Sequence, residues 1–496
     1  MSSLHLFDSV DPMDFGAKGD GVTDDSAAWQ AALNTGKVVC PSKPPVNYLI
    51  NQTLALGTGM NVYFPGGRSN GCKIVTNTNV STFQVVGRNL ANSVTIDGLS
   101  IEHNGDAIVI NFGFNLGCEL KNCTISGSLN GSTQPLVYFR GSFTRIHFNT
   151  LNNFRGNGSF CVDCDRRQDD KSLNGNGDYA NPEINIESFV NDNFLGGTGS
   201  AIIVHASEDC PRPEGVHINR NKSICQGIGL KVEAVLWLNH TGNTWDQARP
   251  YCIWIRPVLF SEKPGSATKV GGVSNMKSQG NWISTPAELQ NGIGLQHDNS
   301  QAPNGGFDNS SFDDQFAFCG YGTNLQSGAS SIDFANSSFN GVRHAYNING
   351  SGRVNISGSI GNDASYNYWV DDKGRNDAGP YSFSNLHLGV NGGTTVIMND
   401  RSKFRFGEIT GRKFRGGSSA QFYAQGNDSY VNVPHGLSEV PDLSTIVVGF
   451  TQIDGAHVGL WARALSADQT NILFNVGHST VTPGNIRLNV YSSVYS

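Results

Sequence analysis

Residues 14–25 of this chain read DFGAKGDGVTDD, and this stretch decides how the rest of the sequence is interpreted. Its glycines suit a tight turn, and the acidic residues that follow suit the positive end of a helix, which Asp24 or the preceding threonine can cap. Trp29 and Leu33 then recur at helical spacing on one apolar face. The pattern predicts one short amphipathic helix over residues 24–34.

Short apolar segments follow this helix and recur along most of the chain. Asn, Gly or Ser turns separate them, and several alternate between apolar and polar residues, as half-buried strands do. Their irregular spacing fits a coil of roughly 20–40 residues, which predicts a solenoid whose neighbouring coils stack to bury their apolar sides. A set of β-sandwiches is the alternative. The segments include Val94-Thr95-Ile96, Ile146-His147-Phe148-Asn149, Val216-His217-Ile218-Asn219, Ile332-Asp333-Phe334 and Val354-Asn355-Ile356.

The composition agrees with an all-β chain. Of 496 residues, 60 are glycine and only 15% are charged, whereas long helical proteins carry more Glu, Lys, Ala and Leu. The net charge is −7 and no long basic run appears, so we expect no nucleic-acid partner. No run of about 18 apolar residues is present, and we therefore expect no membrane insertion.

The ten cysteines are scattered through the chain, and its first 14 residues lack the basic start and apolar segment of a signal peptide. We therefore expect reduced, buried cysteines in a protein that is assembled in the bacterial cytoplasm. Cys161 and Cys164 have the spacing of zinc ligands, but a second clean pair is missing. We expect no metal and no other cofactor.

The opening stretch resembles the motif that begins the right-handed parallel β-helix of the pectate-lyase-like superfamily, which includes many phage tailspikes. In that family a strand and a Gly-Asp-Gly turn, here Gly19-Asp20-Gly21, lead to a helix that caps the open end of the solenoid. The resemblance continues to Phe64 and implies an all-β fold with a short N-terminal capping helix. It does not specify the chemistry, because lyases, hydrolases, epimerases and non-enzymes share this motif.

A second resemblance lies near the C-terminus, where residues 431–437 read VNVPHGL. This segment is similar to part of a small β-sandwich at the ends of phage tail proteins, where it is implied to serve trimer assembly or sugar binding. Gly416-Gly417-Ser418-Ser419 is interpreted as a linker before it. The predicted domains are an opening segment with the capping helix over residues 1–50, a glycan-binding and catalytic β-helix over 51–415, and a C-terminal β-sandwich over 416–496.

The two resemblances together imply a tailspike in the virion tail that assembles as a homotrimer. Its implied partners are a bacterial surface polysaccharide (capsule, exopolysaccharide or O-antigen) and a phage tail or adaptor protein. Larger tailspikes of the family carry an N-terminal particle-binding domain. Because the motif begins within 14 residues of Met1, we expect either a truncated chain or attachment through a short peptide.

Hydrolysis of a glycosidic bond needs two carboxyl groups across that bond, whereas a lyase needs a base near the α-proton of a uronic acid. Outward side chains on adjacent coils stack about 4.8 Å apart, so residues one coil apart in sequence can form one site. Alternation over residues 231–238 turns Glu233 and Trp237 outward. One coil earlier His205 faces outward, and one coil later Trp254 and Arg256 do.

We expect these residues to share one outer stripe with the acids of the neighbouring turns. The predicted catalytic pair is Glu233 with Asp209 or Asp246, and Glu208 is a further catalytic candidate. Arg256 would hold an acidic substituent or a ring hydroxyl. The other predicted substrate-binding residues are His205, Trp237 and Trp254, since exposed ring faces pack against sugar C–H groups.

Other acidic residues are weaker candidates. Asp163 and Asp165 lie near Asp169 and Asp170, and together they are interpreted as part of a long surface loop or of the groove. The motif sets of polygalacturonases, serine esterases, nucleotide hydrolases and zinc proteases are not present in their required contexts. An endo-glycosidase is therefore the first hypothesis, with a lyase that acts by β-elimination, a secreted lyase or epimerase of the same fold, and a non-catalytic receptor-binding spike as alternatives.

Overall fold

The structure is a computed structural model of the chain. It describes residues 8–41, 46–64, 72–86, 93–166, 172–177, 180, 185–206, 213–260, 269–286, 291–300, 306–359, 366–371, 378–387, 393–397, 404–406, 412–424, 429–434, 447–452, 461–468, 471–477 and 484–495. Contacts divide it into two compact units, Met1–Trp282 and Ile283–Ser496.

The first unit opens with a short 3₁₀ helix at Pro12–Phe15 and the predicted α-helix, which spans Ser26–Leu33. The buried carboxylate of Asp25 accepts hydrogen bonds from the backbone N–H groups of Lys18 (2.6 Å) and Gly19 (3.1 Å) and so holds the glycine-rich turn against the helix. Trp29 is fully buried and packs edge-on against the ring of Tyr48, at 5.2 Å between ring centroids. The helix therefore caps the core of the first coils.

Behind the cap, the strands of the first unit form three parallel rows. The first row contains Ser9–Val10, Val38–Val39, Asn61–Tyr63, Thr95–Asp97, Glu119–Lys121, Arg145–His147, Ile186–Asn191, Glu214–Asn219, Leu238–Thr241 and Met276–Ser284. The second row contains Asp20–Asp24, Val46–Leu49, Cys72–Thr76, Ser100–His103, Thr124–Gly127, Thr150–Asn153, Phe194–Gly196, Lys222–Ser223 and Thr244–Trp245. The third row contains Leu54–Leu56, Phe83–Val85, Ile110–Gly113, Val137–Phe139, Phe160–Arg166, Ser200–Ala206, Leu230–Val232 and Tyr251–Ile255.

Every strand in a row pairs in parallel with the strand of the next coil, so the chain winds through the three rows once per coil. The coil length varies, from 22 residues between the paired positions Ile218 and His240 to 44 residues between Ile146 and Val190. A short antiparallel pair, Leu259–Phe260 with Lys269–Val270, interrupts the winding after the third row. The prediction of a parallel β-helix is confirmed, and the β-sandwich alternative is wrong for this unit.

A ladder of buried asparagines closes the turn between the first and second rows. Each asparagine follows a residue with positive φ, and the side-chain N–H of each of the first four donates to the amide oxygen of the asparagine one coil further on, at 2.9–3.1 Å. Stacked amides satisfy one another where water is excluded, which explains why this turn repeats with so little change. The members are Asn149, Asn193, Asn221, Asn243 and Asn281.

The second unit contains two further series of parallel strands and an antiparallel C-terminal part. One series contains Gly306–Ala317, Ala329–Ala335, Ser338–Asn340, Val354–Ser359, Tyr381–His387 and Phe404–Phe406. The other contains Ile293–His297, Tyr321–Leu325, His344–Asn349, Tyr366–Asp371, Gly393–Ile397 and Val447–Gln452.

The C-terminal strands are paired in two antiparallel groups. Arg412–Ala424 and Val447–Gln452 both pair with Gly484–Tyr495, and Asn471–Gly477 pairs with Ser429–Pro434 and Trp461–Ala467. The segment expected to be a linker, residues 416–419, lies within the strand Arg412–Ala424, so that interpretation is wrong. Its small residues extend a pairing with Gly484–Tyr495 that local sequence does not reveal. The predicted domain limits at residues 50 and 415 remain predictions.

The burial of the cysteines agrees with the expectation that they are reduced, buried residues. Eight of the nine cysteines in the described ranges are buried, all nine are free thiols, and Cys210 lies outside those ranges. The Sγ atoms of Cys161 and Cys225 lie 3.9 Å apart in the core without a bond. In the described parts of the chain, no helix is long and apolar enough to cross a membrane.

Candidate functional site

The outer face of the third row brings polar and aromatic side chains from five coils into register. Tyr138, Asp163, Ile203, Lys231 and Trp254 occupy equivalent positions on successive strands. Neighbours in this series are between 23 and 40 residues apart in sequence, but parallel pairing sets them one strand spacing apart, about 4.8 Å. The face therefore collects a site from distant parts of the chain.

Two residues further along the strands lies a second register position. Asp165 pairs with His205, and the backbone N–H of Glu233 donates to the carbonyl of Val204 at 2.9 Å, which continues the same pairing beyond the strand. The N–H of Arg256 donates to the carbonyl of Val232 at 2.8 Å in the same manner. Asp165, His205, Glu233 and Arg256 thus follow one another across four coils.

His205 is the centre of this face. Its Nε2 lies 3.0 Å from Oδ1 of Asp165 and 3.5 Å from Oδ1 of Asp163, so one imidazole bridges two carboxyl groups on the neighbouring coil. The other oxygen of Asp165 accepts a hydrogen bond of 2.9 Å from the hydroxyl of Tyr138. Asp165 is thereby held from both sides and almost completely buried, while Asp163 keeps some exposure to solvent.

Burial and neighbouring charge move the proton equilibria of this group. Burial alone would lower the pKa of His205, but attraction to Asp163 and the hydrogen bond to Asp165 outweigh it and raise the pKa to about 10. For Asp163, burial raises the pKa to about 7, because the nearby charges of His205 and Lys231, which favour ionisation, are opposed by Asp165 and Glu233. Near neutral pH the imidazole is charged, and the carboxyl group of Asp163 is present in both its protonated and its ionised form.

The basic side chains complete the face. Nζ of Lys231 forms an ion pair with Oε1 of Glu233 at 2.5 Å and lies 5.3 Å from the ring centre of Trp254. The guanidinium of Arg256 lies 5.0 Å from the same ring centre. We refer to Asp163, Asp165, His205, Lys231 and Glu233 as the acid–base cluster.

Among the described residues, three buried polar atoms at this face form no hydrogen bond: Nε1 of Trp254, Nε of Arg256 and Oδ1 of Asp163, which has only its 3.5 Å ion-pair contact with His205. Buried polar atoms are nearly always paired, and an unpaired one costs roughly 1–3 kcal/mol. The hydrogen-bonding capacity of these three buried atoms is therefore unused.

The structure brings four of the eight predicted site residues together at this face: Glu233, His205, Trp254 and Arg256. Two others are placed elsewhere. Asp246 follows the second-row strand Thr244–Trp245 and so lies on a different face from Glu233. Glu208 and Asp209 lie outside the described residues.

Trp237 is the other displaced residue, and the expectation that it shares the stripe of Glu233 is wrong. The strand Leu230–Val232 ends before the chain bends, and Ala234 and Val235 are both buried, so the alternation assumed over residues 231–238 is broken. Trp237 instead begins the next first-row strand, where it is 40% exposed and packs edge-on against His217 at 5.1 Å. His217 in turn stacks on Phe189 at 4.6 Å.

Sequence reasoning gave too little weight to Asp163 and Asp165. The surface-loop interpretation is wrong for these two residues, because they lie in the strand Phe160–Arg166, and the alternative that they form part of the groove stays a prediction. The signal was present: Val162 and Cys164 are fully buried, so alternation alone turns the two aspartates outward one coil before His205. Tyr138 and Lys231 had no comparable signal, because their importance depends only on what lies beside them.

A family model described as rhamnogalacturonase A/epimerase, pectate lyase-like, matches residues 9–222. This range includes the capping helix and most coils that carry the acid–base cluster. Residues 9–222 are therefore similar to a pectate-lyase-like family. The resemblance of the opening motif to the pectate-lyase-like superfamily is thereby confirmed.

The fold of this chain is similar to that of a solved phage tailspike. The tailspike protein of E. coli bacteriophage HK620 in complex with a pentasaccharide is 10% identical, with a TM-score of 0.51 over 98% of this chain and 94% of that chain. Tailspike protein 3 of bacteriophage CBA120 is 12% identical, with a TM-score of 0.48 over 80% and 61%.

A GH87 α-1,3-glucanase from Streptomyces thermodiastaticus is 14% identical, with a TM-score of 0.48 over 81% of this chain and 68% of the glucanase. No curated protein matches the chain. At these identities the likenesses concern the fold alone.

Proposed function

We propose that this protein is a phage tailspike depolymerase that binds a bacterial surface polysaccharide and hydrolyses it within the polymer. The observation that carries the proposal is the acid–base cluster, in which a carboxyl group with a raised pKa and a second, ion-paired carboxylate share one partly exposed face. The HK620 tailspike, whose fold matches almost the whole length of both chains, was determined with a bound pentasaccharide, and this supports a glycan as the ligand.

In the proposed mechanism Asp163 is the general acid. Burial raises its pKa to about 7, so a substantial fraction is protonated near neutral pH and can protonate the leaving oxygen of a glycosidic bond. Glu233 is the proposed second carboxylate, kept in place by the ion pair with Lys231. Glycoside hydrolysis needs one carboxyl group that donates a proton and one that is ionised, and an acid with a raised pKa beside an ion-paired carboxylate provides both.

The spacing of the two carboxyl groups favours inversion of configuration. Asp163 and Lys231 are two strands apart in register, about 9.6 Å between backbones, and Glu233 lies two residues beyond Lys231. Inverting enzymes hold their carboxyl groups about 6.5–9.5 Å apart to admit a water molecule, whereas retaining enzymes need about 5–5.5 Å. We therefore propose that Glu233 acts as a base on water.

His205, Asp165 and Tyr138 are proposed positioning residues. The chain of contacts from the Tyr138 hydroxyl through Asp165 to His205 fixes the imidazolium beside Asp163. Trp254 and Arg256, whose side chains are partly exposed, are proposed to contact the sugar, the first through its ring and the second through its guanidinium group. Arg256 would bind a ring hydroxyl or an acidic substituent.

A lyase is the second candidate, and the guanidinium of Arg256, 5.0 Å from the ring centre of Trp254 at this face, is the observation that favours it. Elimination requires neutralisation of a uronate carboxylate next to the proton that is abstracted, and an arginine can supply this. His205 is a poor base for that step, because its raised pKa keeps it protonated near neutral pH. Hydrolysis therefore remains the first proposal.

Assembly and attachment belong to the same proposal: a homotrimer mounted in the virion tail through a phage tail or adaptor protein. The antiparallel C-terminal strands are the proposed region for trimer assembly or additional sugar binding. Sedimentation equilibrium of the purified chain measures its oligomeric state directly. A monomer at micromolar concentration would contradict the trimer without affecting the catalytic proposal.

The decisive experiment is incubation of the full chain with a panel of purified bacterial capsular and O-antigen polysaccharides, followed by mass spectrometry of the released oligosaccharides. Hydrolysis adds one water per cut and creates reducing ends. Elimination creates unsaturated uronates that absorb ultraviolet light and adds no water. Binding of a polymer without any product would favour the non-catalytic receptor-binding spike instead.

A further inference from the structure

A groove lies at the corner between the second and third rows of the first unit, apart from the acid–base cluster. It has a volume of about 480 Å³, which is within the range of small-ligand sites. Residues from five successive coils line it, and we refer to it as the corner groove. They are Asn130, Phe154, Gly156, Asn157, Thr198, Gln226 and Arg249.

The side chains of the corner groove are those that recognise sugars. Phe154 contributes an aromatic ring that is 48% exposed, although burial of such a ring would be favourable. Asn130, Asn157 and Gln226 contribute three exposed amides, each able to donate and accept hydrogen bonds. An apolar ring beside paired amide donors and acceptors matches a pyranose, which has C–H faces and an edge of hydroxyl groups.

The backbone keeps the corner groove open. Gly156 has a φ of +102°, a left-handed conformation that favours glycine, and the atom nearest to an added Cβ would be the amide oxygen of Asn130 at 3.7 Å. Beneath the groove the guanidinium of Arg155 is fully buried and donates to the carbonyls of Ala107 (2.8 Å) and Gln134 (3.0 Å). These hydrogen bonds link three coils, so the floor of the groove is rigid.

The corner groove leads into the strands that carry the acid–base cluster. Phe154 precedes Phe160–Arg166, the strand of Asp163 and Asp165, and Arg249 is two residues before Tyr251–Ile255, the strand of Trp254. Tyr251 lies between, with its ring 5.2 Å from that of Trp254. From the start of a strand to the cluster is about five residues, or about 17 Å.

From this placement we propose that the corner groove is a second carbohydrate-binding site, which anchors the polysaccharide several sugar units away from the acid–base cluster. Its ligand is a segment of a hydroxyl-rich glycan, stacked on Phe154 and hydrogen-bonded by the amides. Arg249 at its rim adds a positive charge that suits an acidic sugar. The proposal concerns binding alone and does not depend on cleavage by the cluster.

The test uses a printed array of purified bacterial capsular and O-antigen polysaccharides, probed with the full chain carrying Glu233→Gln so that captured polymer is not consumed. Phe154→Ala and Gln226→Ala are then introduced into this parent. We expect each to weaken capture of the polymers that the parent retains by at least about threefold, since aromatic packing contributes about 0.5–1.5 kcal/mol beyond buried area. Phe148→Ala is the matched control, because Phe148 is also an exposed phenylalanine (50%) but lies on the first row.

Three outcomes would overturn the proposal: unchanged capture by both groove variants, equal losses in the Phe148→Ala control, or no capture of any polymer by the parent. Sedimentation equilibrium of each variant excludes one further explanation, because a changed oligomeric state in Phe154→Ala would identify the groove as a contact between copies of the chain. If the wild-type protein cleaves nothing but the groove variants lose capture, the corner groove stands and the hydrolase proposal fails.

Discussion

Nε2 of His205 lies 3.0 Å from Oδ1 of Asp165, although 40 residues separate them in sequence. The strands Phe160–Arg166 and Ser200–Ala206 pair in parallel, and this register alone brings the imidazole against the carboxylates of the preceding coil. The long connection between the strands leaves the pairing unchanged. One consequence of the β-helix is thus that insertions between coils do not disturb a site built across them.

We expect Asp163→Asn to reduce polysaccharide cleavage by at least about 100-fold, since general acid catalysis typically contributes that much or more. Asparagine keeps the shape of the side chain but cannot donate a proton to the leaving oxygen. Initial rates of reducing-end release provide the measurement. Glu102→Gln, which alters a carboxylate in an ion pair on the second row, is the control and should leave the rate unchanged.

Glu233→Gln should abolish hydrolysis while polymer binding persists, because an amide cannot activate water. Proton NMR of the wild-type reaction should show that the first anomer released is inverted. Retention of configuration would exclude the water-mediated role of Glu233 and would point to a closer carboxyl pair.

Asp246→Asn tests whether the catalytic partner of Glu233 is Asp246, as inferred from sequence, or Asp163, as inferred from structure. Since Asp246 follows a second-row strand, we expect this variant to cleave at the wild-type rate. A loss of activity comparable to that of Asp163→Asn, with an unchanged melting temperature, would restore Asp246 as the partner of Glu233.

The rate should fall as pH rises through about 7, because the proposed acid, Asp163, loses its proton there. The profile of kcat/KM against pH should therefore show its alkaline limb near neutrality. An alkaline limb that stays in place in Asp163→Glu, which changes the position and environment of the carboxyl group, would show that another group supplies the proton.

Stability should depend on the charge of His205. Its pKa in the folded state is about 10, above the ordinary 6.5, so the folded chain binds this proton more tightly than the unfolded chain. That contribution is fully present below pH 6.5 and is lost as the pH rises toward 10. The difference in melting temperature between wild type and His205→Gln should accordingly narrow from about pH 7 to about pH 10. A constant difference across this range would contradict the assigned charge.

The asparagine ladder predicts that substitution of a single asparagine will lower the free energy of unfolding. Asn221→Ala removes the amide oxygen that accepts from the backbone and side-chain N–H groups of Asn193, and the loss of this buried acceptor should cost about 1–3 kcal/mol in the free energy of unfolding. Asn104→Ala is the control, because Asn104 forms its side-chain bonds at the exposed surface, and we expect less than about 0.5 kcal/mol. Urea denaturation of both variants measures the difference.

Much of the fold was accessible from sequence, since local rules govern it. The glycine-rich turn, the helix that carries Trp29 and the alternating strands each follow from residues close together in the chain. The same alternation correctly predicted that His205, Trp254 and Arg256 face outward. It failed at Trp237, where the chain bends after Val232 and no local residue marks the bend.

The site was less accessible, because it depends on which coil lies beside which. Sequence selected Glu233 but offered Asp209 or Asp246 as its partner, whereas the register brings Asp163 and Asp165 to the same face as Glu233. Coil lengths between 22 and 44 residues make that register impossible to count along the chain.

The sequence by itself determined that this chain winds into stacked parallel coils with a capped first turn, because each strand and turn is encoded by its own residues. Only the tertiary structure decided that Asp163, His205 and Glu233 share one face. The raised pKa values of Asp163 and His205 arise from burial and from charges on neighbouring coils, and neither exists until the coils are stacked.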